Sequence, residues 1–218
     1  MDIYLIRHTE VAVGRQMAYG QADVDLTDSY PEQLARLQAH LPDQLLLPHP
    51  ALIFSSPLKR CRRLANDLAA SLTIGSQIET APGQTTVVDA QRPSVQLDDR
   101  LKELLFGDWE LTPWADLPPD ELRTWRADFV TIRIPNGESF GDLFERVSAF
   151  WNEQISPLID AQSNQPIFIV SHGGVIRALL CLLMALPLQN AYRINLDYGA
   201  VSKITLTRST TTVQYINR

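Results

Sequence analysis

Basic and imidazole side chains follow three separate apolar runs of this sequence. Arg7 and His8 end the run in "YLIRHTE", and Arg60 lies in "SSPLKR", shortly after "ALIF". His172 comes at the end of "PIFIVSHGG", where Gly173 begins the next segment. A neutral imidazole can attack phosphorus, and the planar fork of a guanidinium matches two phosphate oxygens at once. These residue types therefore indicate phosphoryl chemistry.

A covalent route through phosphohistidine also requires a proton for the leaving alkoxide. A carboxylic acid supplies that proton when burial and an adjacent phosphate dianion raise its pKa. The stretch "LKELLFGDWE" offers Glu103, Asp108 and Glu110 among apolar side chains. Spacing does not choose among these carboxyl groups, and a polar rim on a turn is a further alternative.

Each motif also has a purely structural explanation. An arginine beside a histidine at a strand end is usually incidental, and "SHGG" is compatible with a simple tight turn. "SSPLKR" is compatible with an ordinary helix start, with Ser55 or Ser56 as the cap and Pro57 in the first turn. The chemical interpretation gains its force because all three motifs occur at equivalent places in one chain.

Short β-rich runs alternate with helical patterns along the chain. The predicted strand–helix units are "DIYLIR" with "SYPEQLARLQAHL", "ALIF" with "PLKRCRRLANDLAASL", and "PIFIV" with "GGVIRALLCLLMAL". "PPDELRTWRADF" and "NGESFGDLFERVSAFWNEQISPLI" predict two further helices, the second with Ser139 and Asp142 as a capping box. Within the otherwise loop-like residues 73–100, "TTVV" and "SVQL" predict short strands, and "AVSKITLTRSTTTVQYINR" predicts a closing hairpin.

This alternation predicts an α/β fold with helices on both faces of a mostly parallel sheet. The closing hairpin makes a mixed sheet. Ligands bind beyond the carboxyl ends of the strands in such folds. If the three strands are parallel neighbours, Arg7, His8, Arg60 and His172 gather at one sheet edge, where helix N-termini add backbone N–H donors.

Composition limits the other possibilities. The chain has 218 residues and a net charge of -6, which argues against a non-specific nucleic-acid binder. The longest apolar run, "VIRALLCLLMAL", contains Arg177 and is too short to span a membrane; no signal-peptide pattern is present, and we expect a cytoplasmic protein. Cys61 and Cys181 lack metal-ligand spacing and are expected to be buried thiols. The sequence leaves the oligomeric state open, with a homodimer as one option.

The four segments "LIRHTE", "SSPLKR", "LKELLFGDWE" and "VSHGG" together resemble the signatures of the histidine phosphatase superfamily, the phosphoglycerate-mutase-like proteins, and they occur in the same order. The resemblance implies a three-layer α/β/α sandwich formed by residues 1–218 as one domain, with no metal or other cofactor. By position, His8 resembles the phosphorylated nucleophile and Glu103 the proton donor. The remaining phosphate-binding positions correspond to Arg7, Arg60, Gly173 and His172, with His172 expected to be protonated.

Other segments are similar to one subfamily, the alpha-ribazole phosphatases: "AYGQADVDLTD", "FGDWE", "IPNGESF" and "LDYGAVSKI". This similarity implies removal of the 5′-phosphate from alpha-ribazole phosphate, or from cobalamin 5′-phosphate, in cobalamin biosynthesis. We expect the substrate to contact Tyr19, Gln21, Trp109 and Trp125, and residues 109–138 to form a lid.

Three alternative functions remain. A broad-specificity histidine phosphatase and a sugar-phosphate phosphatase or mutase belong to the same superfamily. A phosphate-binding module without catalysis belongs to another class. Residues 73–97 look longer than the usual link of the fold. The long insertions that mutases use to retain a transferred phosphate are not evident in the sequence, which favours hydrolysis.

Overall fold

A computed structural model describes residues 1–41, 51–72, 93–161 and 163–218 with their side chains, and the backbone of 74–81 and 84–91. The helices are α1 Tyr30–Gln38, α2 Lys59–Ser71, α3 Pro119–Ala127, α4 Phe140–Phe150, α5 Ser156–Asp160 and α6 Gly173–Met184. The strands are β1 Asp2–Arg7, β2 Met17–Ala18, β3 Leu52–Ser55, β4 Ile74–Ala81, β5 Gln84–Gln91, β6 Val95–Leu97, β7 Thr112–Pro113, β8 Ile167–Ser171, β9 Val201–Leu206 and β10 Thr211–Tyr215.

The central sheet has six strands in the order β10-β9-β1-β8-β3-β6. β1, β8, β3 and β6 run parallel, whereas β9 and β10 are antiparallel to their neighbours. The predicted mixed, mostly parallel sheet is therefore confirmed. Arg7 of β1 lies beside Ser171 of β8, and Ser55 of β3 lies beside Val170, so the carboxyl ends of three strands meet at one edge.

Helices cover both faces of this sheet, as the three-layer prediction requires. Ile3 and Leu5 of β1 belong to the core cluster that includes residues of α4 and α6. Tyr4 and Ile6 belong to the opposite cluster, with residues of α1 and α2. Successive side chains of a strand point to opposite faces, so a continuous apolar run such as β1 fits a strand buried on both sides.

The start of α2 differs from the sequence prediction. The helix begins at Lys59 rather than at Pro57, and no side chain of the residue before it caps it. Ser56 Oγ accepts the N–H of Leu58 at 3.3 Å, just ahead of the helix. The N–H of Lys59 donates instead to the carboxylate of Asp23 at 2.8 Å. A distant loop thus supplies the cap that a local serine was expected to provide.

The remaining predicted elements are present with small changes. "TTVV" falls within β5 and "SVQL" overlaps β6, while β4 adds a strand that pairs with β5. The capping box at the start of α4 is confirmed, since Ser139 and Asp142 exchange hydrogen bonds. A π-helical turn over Trp151–Ile155 then connects α4 to α5. Among the described residues, no helix has the length and hydropathy needed to cross a membrane.

Candidate active site

Two imidazole rings face each other at the carboxyl edge of the parallel strands. His8 directly follows β1 and His172 directly follows β8, and the register of these neighbouring strands brings the two residues side by side. Their ring centroids are 5.2 Å apart and the planes are inclined by 63°. The rings are 1% and 0% exposed. The predicted convergence of these two histidines is therefore present in the structure.

Hydrogen bonds determine which nitrogen of His8 is free. Its Nδ1 lies 2.7 Å from the carbonyl oxygen of Thr9. A carbonyl oxygen accepts hydrogen bonds but cannot donate them, so Nδ1 carries the proton. In the neutral ring, Nε2 then holds the lone pair and is available as a nucleophile.

His172 has the opposite tautomer. The guanidinium Nε of Arg60, which always carries a proton, donates to Nδ1 of His172 at 3.3 Å. Nε2 of the neutral ring therefore carries the proton, and it lies 2.8 Å from the hydroxyl oxygen of Ser56. The two histidines thus have distinct hydrogen-bonding roles within one buried cluster.

Burial and nearby arginines keep both rings neutral. Burial lowers the pKa of His8 well below its ordinary value of 6.5, and the charges of Arg60 and Arg7 lower it further, against the opposing bond to Thr9. Burial also lowers the pKa of His172 well below 6.5, followed in effect by Arg60. The expected protonated form of His172 is thus disfavoured by the groups of the protein. A phosphate dianion beside the ring acts in the opposite direction.

This arrangement predicts the tautomers and their pH dependence. At pH 6.5, where a free imidazole is half protonated, we expect both rings to stay neutral, because burial holds their pKa values well below the ordinary value. Imidazole nitrogen shifts measured by NMR should show the proton on Nδ1 of His8 and on Nε2 of His172. The stability of the fold should decline as the pH falls below about 6.5, because the unfolded chain then binds protons that the buried rings do not.

Two outcomes would contradict this prediction: a charged ring at pH 6.5, or exchanged tautomers. The matched reference is the His8→Asn variant, which identifies the signals of His8 by their loss. Addition of inorganic phosphate should raise both pKa values, since a nearby anion favours the charged ring.

Arg7 has one guanidinium donor that is bound within the protein and another, Nε, that lies near the start of α6. Its Nη1 donates to the carbonyl oxygen of Leu196 at 2.6 Å, and its guanidinium lies 4.1 Å from the ring centroid of Tyr198. The buried Nε has no hydrogen-bond partner among the described residues. This Nε lies close to Gly173, the first residue of α6, since a Cβ atom added to Gly173 would be 3.5 Å from it. An unpaired N–H beside a helix N-terminus is suited to an anion.

A loop held by Glu110 positions Arg60. The guanidinium of Arg60 donates to the carbonyl oxygens of Gly20 at 2.5 Å and Ala22 at 2.8 Å. The carboxylate of Glu110 accepts the N–H groups of Gly20, Gln21 and Ala22 at 2.7 to 3.2 Å. Glu110 therefore organises the backbone that receives Arg60.

The three carboxyl groups left open by the sequence occupy different environments. Both oxygens of Glu103 accept the N–H of Gly174, at 3.1 and 3.0 Å, so this carboxylate lies at the start of α6. Asp108 accepts from Asn136 at the surface. Glu110 is occupied by backbone N–H groups. Of the three, Glu103 alone lines the cavity beside Arg7.

This cavity has a volume of about 440 Å³, and its wall includes Tyr19 and Tyr198, whose ring centroids lie 6.5 and 5.5 Å from that of His8. Six of its described lining residues are aromatic: Tyr19, Phe106, Trp114, Trp125, Tyr192 and Tyr198. Four others are arginines, namely Arg7, Arg15, Arg126 and Arg177, and one, Glu103, carries a carboxylate. The cavity therefore combines flat apolar walls with an excess of positive charge.

Two of the four expected substrate contacts line this cavity and two do not. Tyr19 and Trp125 form part of its wall. Trp109 lies in the core instead, 2% exposed, where its ring packs against Trp125 and its Nε1 donates to Glu121. Gln21 donates to the carbonyl oxygen of Glu103 at 3.1 Å and is a structural contact.

Tyr198 and Arg177 line the cavity although sequence reasoning gave them no role. Tyr198 precedes β9. Because β9 runs antiparallel to β1, it begins at the edge of the sheet where β1 ends. The phenol groups of Tyr198 and Tyr19 lie 2.6 Å apart, next to His8. Arg177 lies four residues after Gly173, one helical turn beyond this predicted phosphate-binding position. Both positions follow from spacing and topology, once the sheet order is known.

The segment 109–138, expected to form a lid, supplies one wall of the cavity through Trp114, Trp125 and Arg126. Part of the same segment belongs to the core: Trp109, Leu117, Trp125 and Ile134 are 1% to 7% exposed. These buried side chains anchor the segment on the body of the fold.

Comparison with known proteins agrees with this geometry. The profile of the histidine phosphatase superfamily (branch 1) matches residues 3–218. The adenosylcobalamin/alpha-ribazole phosphatase of Escherichia coli K12 is 28% identical over 223 residues, which cover 100% of this chain and 96% of that protein. The glucosyl-3-phosphoglycerate phosphatase of Mycolicibacterium vanbaalenii is 32% identical over 197 residues, covering 86% and 76%.

The fold agrees as well. The crystal structure of the alpha-ribazole phosphatase from Shigella flexneri matches with a TM-score of 0.75 and 28% identity, covering 100% of this chain and 96% of that one. The sequence profile and the fold thus match over nearly the whole length, in agreement with the histidine-centred cluster. The chain belongs to the histidine phosphatase superfamily, with its phosphoglycerate-mutase-like fold.

Proposed function

We propose that this protein hydrolyses phosphomonoesters through a phosphohistidine formed on His8. The observation that carries the proposal is the state of this ring. Its Nδ1 is held by the carbonyl of Thr9 and its pKa is depressed, so Nε2 keeps its lone pair near neutral pH. Two guanidinium groups and a second imidazole lie beside it. A neutral nucleophile among cations is suited to attack a phosphate dianion.

In the first step, Nε2 of His8 forms a bond to phosphorus while the bond to the ester oxygen breaks. Arg7, Arg60 and His172 stabilise the phosphoryl oxygens, where the charge of the transition state is spread. Glu103 transfers its proton to the departing oxygen. Its carboxyl group at the start of α6 lines the cavity together with Arg7.

In the second step, water attacks the phosphohistidine. Glu103 takes a proton from this water, the bond from phosphorus to nitrogen breaks, and inorganic phosphate leaves. Both groups are then restored to their starting forms. The same carboxyl group thus acts first as an acid, which leaves it deprotonated, and then as a base, which restores its proton.

For the substrate, we propose alpha-ribazole 5′-phosphate or the related cobalamin 5′-phosphate. The supporting observation is the ring-lined cavity, where Phe106, Trp114, Trp125 and Tyr192 offer flat apolar surface. Aromatic side chains bind planar heterocycles such as benzimidazole by stacking. Related proteins named alpha-ribazole phosphatases match over the full chain.

A second class of substrate is favoured by a different observation. Arg15, Arg126 and Arg177 line the same cavity in addition to Arg7. Guanidinium groups beyond those that bind the phosphate can pair with a second anionic group, such as a carboxylate. A relative is named for a phosphoglycerate derivative, which carries such a group. This alternative corresponds to a sugar-phosphate or phosphoglycerate phosphatase.

A substrate panel separates these possibilities. We expect kcat/KM for alpha-ribazole 5′-phosphate to exceed that for 3-phosphoglycerate by at least about tenfold, which corresponds to about 1.4 kcal/mol of transition-state binding. Released inorganic phosphate is measured directly, which also separates hydrolysis from transfer to a second substrate.

The variant Arg126→Gln serves as the matched test. It should leave turnover of alpha-ribazole 5′-phosphate within about twofold. A preference for 3-phosphoglycerate that this variant abolishes would favour the second class. Equal turnover of every ester would contradict both assignments and indicate a broad-specificity phosphatase.

A further inference from the structure

Glu103 lies in a part of the backbone that no regular element supports. Residues 102–106 come after the 3-10 turn Asp99–Leu101 and belong to no helix or strand of the described chain. Helices and strands fix a side chain through their repeated backbone hydrogen bonds, and these are missing here. The position of a catalytic carboxyl group in such a segment must be set by other contacts.

One guanidinium supplies several of these contacts, in addition to those that Glu103 makes with Gln21 and Gly174. Arg146, in α4, donates from Nη1 to the carbonyl oxygens of Arg100 and Lys102, both at 2.7 Å. Its Nη2 donates to the carbonyl oxygen of Glu103 at 2.9 Å. Because the donors of a guanidinium are fixed in one plane, three carbonyl groups that bind it are fixed relative to each other.

Glu138 extends this contact to the other side of Glu103. Its two carboxylate oxygens accept from Nε and Nη2 of Arg146, both at 2.9 Å. One of them also accepts the N–H of Leu105 at 3.0 Å, and the backbone N–H of Glu138 donates to the carbonyl oxygen of Leu105 at 2.9 Å. The side chains of Arg146 and Glu138 are 18% and 20% exposed, so solvent and salt screen the pair only partly.

We propose that Arg146 and Glu138 are positioning residues that hold Glu103 where it can exchange a proton with the leaving group. Neither side chain lines the cavity, so both act through the backbone of residues 100–105. This inference rests on the proposed function, in which Glu103 is the acid. It assigns the two residues a role in one step of the reaction and not only in stability.

The test uses the dependence of rate on the leaving group. In Arg146→Met, we expect hydrolysis of 2-glycerophosphate, a poor leaving group, to slow by about 30- to 100-fold, because a displaced acid transfers its proton inefficiently. Hydrolysis of p-nitrophenyl phosphate should stay within about threefold of the wild-type rate, because p-nitrophenolate needs little protonation. Arg146→Lys, which keeps the charge but loses the fork, should be intermediate.

Controls separate positioning from general damage. Arg100 lies in the same segment as Glu103 and forms ion pairs with Asp98 and Glu153, which Arg100→Gln removes. This change should affect the hydrolysis of both substrates equally and by less than about twofold. Glu138→Gln keeps the shape of the pair and remains a test if Arg146→Met fails to fold. In the Glu103→Gln background, loss of Arg146 should cause no further slowing of 2-glycerophosphate hydrolysis.

Equal slowing of both substrates in the Arg146 and Glu138 variants would overturn the inference, and so would additive effects with Glu103→Gln. If Glu103→Gln shows the leaving-group difference but the Arg146 variants do not, the positioning role alone is wrong. If Glu103→Gln itself shows no such difference, the acid role proposed above fails, and the positioning role fails with it.

Discussion

Replacing His8 by asparagine is expected to lower the rate of phosphate release by at least about 10⁴-fold. The amide of asparagine can still donate to the carbonyl oxygen of Thr9, the partner of Nδ1 in the structure. It has no basic nitrogen, so the covalent step is lost while the local hydrogen bond is kept. The rate is measured with p-nitrophenyl phosphate, for which leaving-group protonation matters least.

The covalent intermediate gives a second measurement. Wild-type protein quenched during turnover of a radiolabelled ester should carry a label that survives base and is released by acid, as a phosphohistidine does. The asparagine variant should carry none. His40→Asn is the matched control, because His40 lines a neighbouring cavity of about 430 Å³ and not the cavity beside Glu103. Activity within about tenfold of wild type in the His8 variant, or an unchanged label, would contradict the nucleophile assignment.

Replacing Glu103 by glutamine should produce the largest difference between substrates. We expect 2-glycerophosphate hydrolysis to slow by about 10²- to 10³-fold, a loss of about 3 to 4 kcal/mol of transition-state stabilisation. Hydrolysis of p-nitrophenyl phosphate should slow by less than about tenfold. Glutamine can still accept the N–H of Gly174 through its carbonyl oxygen, so the start of α6 keeps one partner.

Asp108→Asn is the matched control for this experiment. Asp108 belongs to the same stretch of sequence but pairs with Asn136 at the surface. Its replacement should leave both substrates within about twofold of wild type. A leaving-group difference in the Asp108 variant instead of the Glu103 variant would transfer the acid role to the other carboxyl group.

Several features of the site could be predicted because they depend on neighbours in the chain. The apolar runs that become β1 and β8 end at Arg7 and Ser171, and this ending is visible in the residues themselves. Parallel strands present their carboxyl ends at one edge, so the meeting of His8 and His172 follows from the alternation of strands and helices. The capping box at Ser139 is likewise a local pattern.

The choice among Glu103, Asp108 and Glu110 could not be made from spacing, and only the resemblance to a family favoured one of them. They lie within seven positions of each other on irregular backbone and one short 3-10 turn, which is too short for a periodicity that tells which side chain faces inward. The direction of each is set by a partner far away in sequence. These partners are Gly174 for Glu103, Asn136 for Asp108, and the loop of Gly20, Gln21 and Ala22 for Glu110.

Trp109 and Trp125 illustrate the same limit. Both are tryptophans in the segment 109–138 and both were expected to contact the substrate. Both pack in the core, but only Trp125 also borders the cavity. Composition and periodicity thus account for the layers, the sheet edge and the residues gathered there, because hydrophobic burial and backbone geometry act over a few residues at a time. The tautomers, the position of the proposed acid and the cavity wall depend on contacts between residues distant in the chain, and these contacts exist only once the layers have packed.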